Sequence, residues 1–143
     1  MKPFLAASFT FHNVTKRYFL DIIELYKLGN KGLVGVTTEL RRYLDDLIKR
    51  IGQEIPVEEI FLFGSYAYGT PNEDSDIDLC ILAKLNGHRK VDLIRRARKA
   101  IAPIAFYPVD ILVYDKDDFM RRSNVGSTLE YKIKNEGVKV YGC

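Results

Sequence analysis

IFLFGSYAYGTPNEDSDIDLCIL, Ile60 to Leu82, is the stretch on which the fold turns. It opens with a short apolar run, Ile60 to Phe63, closed by Gly64, which reads as a buried strand. Ser65 to Gly69 follows as a turn or short helix, and Thr70 to Asp74 as a polar loop holding Pro71. Asp76 to Leu82 reads as the next strand. Residues two apart in a strand share a face, so Asp76 and Asp78 point one way while Ile77 and Leu79 point the other. Their backbones lie about 6.5–7 Å apart in that geometry. Such a frame suits a pair of metal ions, which stand about 3.5–4 Å apart in two-metal sites.

Downstream, Asn86-Gly87 marks a turn and His88 to Ile101 an amphipathic basic helix. Its inward residues are expected to be Val91, Ile94, Ala97 and Ile101, with Arg95, Arg96, Arg98 and Lys99 outward; Pro103 ends it. Val109 to Tyr114 reads as a third strand, carrying Asp110 as an isolated charge among core residues. A buried carboxylate needs a partner, and all three aspartates converge if this strand pairs beside the Asp76 strand. Phe119 to Asn135 reads as mostly helical, and Val138 to Tyr141 as an edge strand. Upstream, a helix is expected from about Thr38 to Ile51, with Leu40, Leu44, Leu47 and Ile48 on one face and Gly52 as its stop. An earlier helix is expected over Val14 to Leu28, capped by Asn13 and ended at Gly29-Asn30, with Gly32 to Gly35 a loop. Strands mixed with helices predict an α/β or α+β layer fold. The division expected is a helical extension over residues 1–36 and one domain over residues 37–143.

The 143 residues suit a single compact domain, and a net charge of +3 does not point to nucleic acid as a partner. The apolar runs are strand-length, so neither a membrane span nor a signal peptide is expected. Cys80 sits in an apolar run and Cys143 at the end, which suggests no disulfide framework and places the chain in a reducing cytoplasm. His12 and His88 read as surface residues without ligand-spaced partners. The exposed basic face of the His88–Ile101 helix reads as solvated, with contact to nucleic acid or an acidic partner as the minority reading.

The chemistry concentrates at Gly64-Ser65 and the three aspartates. A glycine directly after a buried strand lets backbone approach a ligand closely. Ser65 adds a hydroxyl and a backbone N–H, and a helix starting there favours a phosphate. Hard carboxylate oxygens suit Mg²⁺, which is commonly shared with substrate phosphates. The pattern therefore reads as one loop gripping a triphosphate while Asp76, Asp78 and Asp110 hold two Mg²⁺ ions at the reacting phosphorus, with Asp110 able to accept the proton of an attacking hydroxyl. A calcium loop beginning at Asp74 is ruled out, because Leu79 stands at the glycine position and Leu85 at the terminal glutamate position.

Taken together, these residues resemble the polymerase-β-like nucleotidyltransferase superfamily. The likeness is carried by Gly64-Ser65, the ten residues Tyr66 to Ser75, the triplet Asp76-Ile77-Asp78, and a later strand aspartate, Asp110 in PVDILVY. The chain's length and the segment DDFMRRSNVGSTLEYKIKNEGVKVYG resemble the minimal, stand-alone members, over about Thr38 to Gly142. One departure is Tyr68, where relatives often carry arginine. The resemblance implies a small mixed sheet flanked by helices, with Asp76 and Asp78 ligating both metals, Asp110 the catalytic metal, and Gly64 and Ser65 holding the β- and γ-phosphates. It also implies ATP or another nucleoside triphosphate as substrate and transfer of a nucleoside monophosphate, AMP foremost, to a hydroxyl. Many minimal members are antitoxins paired with a HEPN-family toxin, some of which are modified on a tyrosine. A small-molecule acceptor such as an aminoglycoside-like alcohol, and a non-catalytic antitoxin, stay open as alternatives. A homo-oligomer or partner surface stays open for the N-terminal helix.

Overall fold

The computed structural model describes residues 38–69, 71 and 74–142. The helix expected over Val14 to Leu28, and the extension it belongs to, lie outside these residues. The described elements are α1 (Thr38–Glu54), β1 (Val57–Phe63), α2 (Ser65–Tyr68), β2 (Ile77–Ala83), α3 (Lys90–Ile101), β3 (Val109–Asp115), α4 (Lys116–Arg122), α5 (Leu129–Glu136) and β4 (Val138–Tyr141). The strands form one sheet in the order β3-β2-β1-β4. β1 is antiparallel to both β2 and β4, while β2 and β3 are parallel. A parallel pair needs a long crossover, which α3 supplies. The architecture is thus the mixed α/β layer fold expected from the sequence.

Strand alternation sorts the core into two layers. Ile60, Leu62, Ile77, Leu79, Ile81, Ile111 and Val113 face α1 and α3, which contribute Leu40, Leu44, Leu47, Ile51, Leu93, Ala97 and Ile101. Phe61, Phe63, Cys80 and Leu82 face the other way, under Phe119 of α4 and Ile133 of α5. Phe119 is fully buried, stacked on Phe61 with ring centroids 5.9 Å apart. The short helices of this second layer are anchored at their N-termini. Asp115 accepts the backbone N–H groups of Asp117 and Asp118, and Thr128 accepts that of Tyr131. Such caps satisfy amide groups that have no partner within the helix. No helix among the described residues is long and apolar enough to cross a membrane.

Several sequence expectations need correction. α1 runs through Gly52 to Glu54, because Ile51 and Ile55, both buried, hold its last turn against the core and outweigh the roughly 1 kcal/mol cost of a helical glycine. α3 begins at Lys90 and buries Leu93, Ala97 and Ile101, leaving Val91 48 % exposed; periodicity defined the helix but not its rotation. The mostly helical segment expected over Phe119 to Asn135 consists of two helices, α4 and α5, with a turn between them closed by the Thr128 hydroxyl donating to the Val125 carbonyl at 2.8 Å. Asp110 is exposed rather than set in the core.

Candidate active site

β1 delivers Gly64, which leaves the strand with φ 71° and ψ −158°. Only glycine adopts that conformation readily. Space imposes the same choice: a Cβ at position 64 would lie 2.0 Å from Asp78 Oδ2. The turn backbone therefore rests directly on the Asp78 carboxylate. The Gly64 carbonyl then accepts the N–H groups of Ala67 and Tyr68 at 3.0 and 2.9 Å, which closes α2. Ser65, half-buried, is the first residue of that helix, and Gly69 ends it in the left-handed region at φ 83°.

β2 supplies Asp78, and β3 supplies Asp110. The parallel register places them directly beside each other, Asp78 opposite Asp110, while β1 places Phe63 opposite Asp78 on its other side. Asp78 and Asp110 lie on the sheet face that also carries Cys80, Leu82, Leu112 and Tyr114, the face covered by α4 and α5. Asp76 sits one residue before β2 rather than inside it. Its charge reaches both Asp78 and Tyr66, so it stands at the same end of the sheet. The structure thus brings Gly64, Ser65, Asp76, Asp78 and Asp110 to one edge, with Asp78 central.

Electrostatics reflect this crowding. The Asp78 carboxyl is pushed up to about 6 by burial first, then by the charges of Asp110 and Asp76. None of the three aspartates is in an ion pair among the described residues. Nor do any three carboxylate, imidazole or thiol groups there close into a ready-made ion cage. The donor set is nevertheless all oxygen, negative and uncompensated. That suits Mg²⁺, which takes few protein ligands and completes its shell with water and substrate phosphates.

Neighbouring groups have structural duties. Burial pushes the Cys80 thiol up to about 12, with the Glu130 charge adding, so it is a packed and unreactive side chain. Two clefts of about 410 and 450 Å³ lie on the opposite layer, one between α1 and α3 beside Arg50, Arg96 and Lys99 and one along α1 beside Asp46 and Lys49, and neither is lined by Asp76, Asp78 or Asp110. Arg96 there donates to the Glu54 carbonyl, and Arg95 pairs with Asp92. α5 also borders the site: Lys132 lies over the Tyr68 ring, and the Glu136 charge reaches the Tyr68 hydroxyl. The sequence carried no clear sign of this wall, since α5's rotation depends on Ile133 finding the aromatic layer.

The chain is similar to several known proteins. The chain is 30 % identical to MJ1305 of Methanocaldococcus jannaschii, named as a candidate protein adenylyltransferase, over 57 % of this chain and 76 % of that one. A crystal structure of a candidate nucleotidyltransferase from Sulfolobus solfataricus superposes with a TM-score of 0.50 at 18 % identity, covering 78 % of this chain and 87 % of that one. A toxin–antitoxin crystal structure with AMP-PNP aligns at 26 % identity and a TM-score of 0.45, covering 69 % of this chain and 73 % of that one. The family model described as a nucleotidyltransferase domain matches residues 40–135. Because that span takes in the glycine turn, all three aspartates and the helix that walls them, the chain belongs to the nucleotidyltransferase domain family.

Proposed function

We propose that this protein transfers AMP from ATP to a protein hydroxyl, with Gly64 and Ser65 gripping the phosphate tail and Asp76, Asp78 and Asp110 forming the Mg²⁺ site. The observation that carries the reading is the juxtaposition of Asp78 and Asp110 on adjacent parallel strands, directly beneath the Gly64 turn. In the reaction the acceptor oxygen bonds to the α-phosphorus, the bond to the β-phosphate oxygen breaks, and pyrophosphate leaves. Mg²⁺ bound at the carboxylates supplies charge neutralisation for nucleophile and leaving group. Ser65 offers its hydroxyl and backbone N–H to the phosphate oxygens, and the bare Gly64 backbone lets them approach. Asp110, exposed at the edge of the pair, is placed to take the acceptor's proton as the new bond forms.

The protein acceptor is supported by the name of the M. jannaschii relative. A tyrosine of a HEPN-family toxin, with this chain as antitoxin, is the form that the family resemblance implies. The test is labelling with radioactive ATP and Mg²⁺ in the presence of candidate acceptor proteins. Wild type is expected to label a partner hydroxyl, and Asp78→Asn to lose at least about a hundredfold in rate, as removal of a central charge-stabilising group does. Equal labelling by the two proteins would reject the assignment.

A further inference from the structure

Three lysines stack on aromatic rings of the layer that carries Asp78: Lys90 over Tyr114, Lys139 over Phe61 and Lys132 over Tyr68. Two of them are also held by carboxylates, Lys90 by Asp118 at 3.2 Å and Lys139 by Glu59 at 3.0 Å. Lys132 is in no ion pair among the described residues, and it is exposed. Its ammonium sits 4.6 Å from the Tyr68 ring centroid. That position is set by its neighbour Ile133, which is fully buried in the aromatic layer.

Tyr68 connects this cation to the phosphate turn. It is the last residue of the four-residue helix that starts at Ser65, and its N–H donates to the Gly64 carbonyl. Its hydroxyl is buried and lacks a hydrogen bond of normal geometry. Its pKa is raised, by burial first; a loose approach to the Gly64 backbone opposes this, and the charges of Glu136 and Asp78 add to it. The ring therefore stands between the Gly64 turn and α5, close enough to Asp78 to feel its charge. A ring face holds an ammonium weakly and leaves its charge unneutralised. A phosphate oxygen offers the same group a charge-assisted hydrogen bond, which is stronger.

We propose that Lys132 is a nucleotide-binding residue whose ammonium moves from the Tyr68 ring to the β- and γ-phosphates of a triphosphate seated at Gly64-Ser65. The inference rests on the nucleotidyltransferase reading of that turn. It adds a cationic contact from α5 to a site otherwise built of carboxylates, backbone and the Ser65 hydroxyl, with Tyr68 as the platform that positions it.

The test is calorimetric titration of the full chain with a non-hydrolysable ATP analogue and Mg²⁺, for wild type, Lys132→Ala and Lys132→Arg, with a thermal melt of each free protein. Lys132→Ala is expected to weaken binding about tenfold, while Lys132→Arg keeps it within about threefold, because the lost contact is one of charge. Melting temperatures of the three free proteins are expected to coincide, since Lys132 is exposed. Lys132→Ala binding as tightly as wild type would overturn the inference. So would Lys132→Arg binding as weakly as Lys132→Ala, or a loss of affinity that tracks a lowered melting temperature. In each of these cases wild type still binds the analogue and the reading of the turn stands. Wild type failing to bind it would overturn both.

Discussion

At the scale of single residues, Gly64 and Asp78 constrain each other. Gly64→Ala puts a methyl group into the Asp78 carboxylate and forces an L residue into φ 71°. Strain of that kind costs about 1–3 kcal/mol. Urea unfolding is expected to show a loss in this range, and the ATP-labelling assay a near-complete loss, since either the turn or the carboxylate must move. Asp78 itself carries a pH signature. Its carboxyl rises from 3.8 to about 6 in the folded state, so between those values the native protein holds a proton that the unfolded chain releases. Stability from this group is full below pH 3.8 and is lost as pH rises through 6. Because the site is partly open to solvent, the loss is screened to about 1 kcal/mol. Metal-free Asp78→Asn is therefore expected to be more stable than wild type at pH 7 by about that amount. The two curves should converge towards pH 4, in urea unfolding at a series of pH values.

At the scale of elements, the site depends on helices too short to stand alone. α5 has eight residues, well below the length at which an isolated helix is stable in water. It is held by the Thr128 cap, in which Thr128 Oγ1 accepts the Tyr131 N–H at 3.1 Å, and by Ile133 in the core. Thr128→Ala is expected to destabilise the protein by about 1 kcal/mol. It should also raise hydrogen exchange across residues 129–136 more than in β2, an ordering that exchange with mass detection would read directly. α2 shows the opposite economy: four residues between glycines, with no capping side chain, are enough to hand the chain from β1 towards β2.

At the scale of the whole molecule, three carboxylates gathered at one sheet edge with no paired cation among the described residues make the ligand-free fold less stable than it would be with its ligands. A ligand that binds only the native state adds about 2.7 kcal/mol at a hundred times its dissociation constant. Mg²⁺ with a non-hydrolysable ATP analogue is accordingly expected to raise the melting temperature of wild type but not of Asp78→Asn. Calorimetric melting with and without the pair of ligands measures both.

Much of this was legible in the chain itself. The apolar run into Gly64 and the apolar residues around Asp78 and Asp110 specified strands, a turn and the shared face of those two carboxylates, because strand alternation and glycine's conformational freedom are local properties; Asp76, one residue before β2, falls outside that alternation. Tertiary structure alone decided that β3 lies beside β2 in the register that sets Asp110 against Asp78. It alone pressed Gly64 onto Asp78, rotated α3 to bury Leu93 instead of Val91, and brought Lys132 to the Tyr68 ring. Pairing and helix rotation follow from which distant apolar surfaces close on each other, and no window of neighbouring residues contains that information.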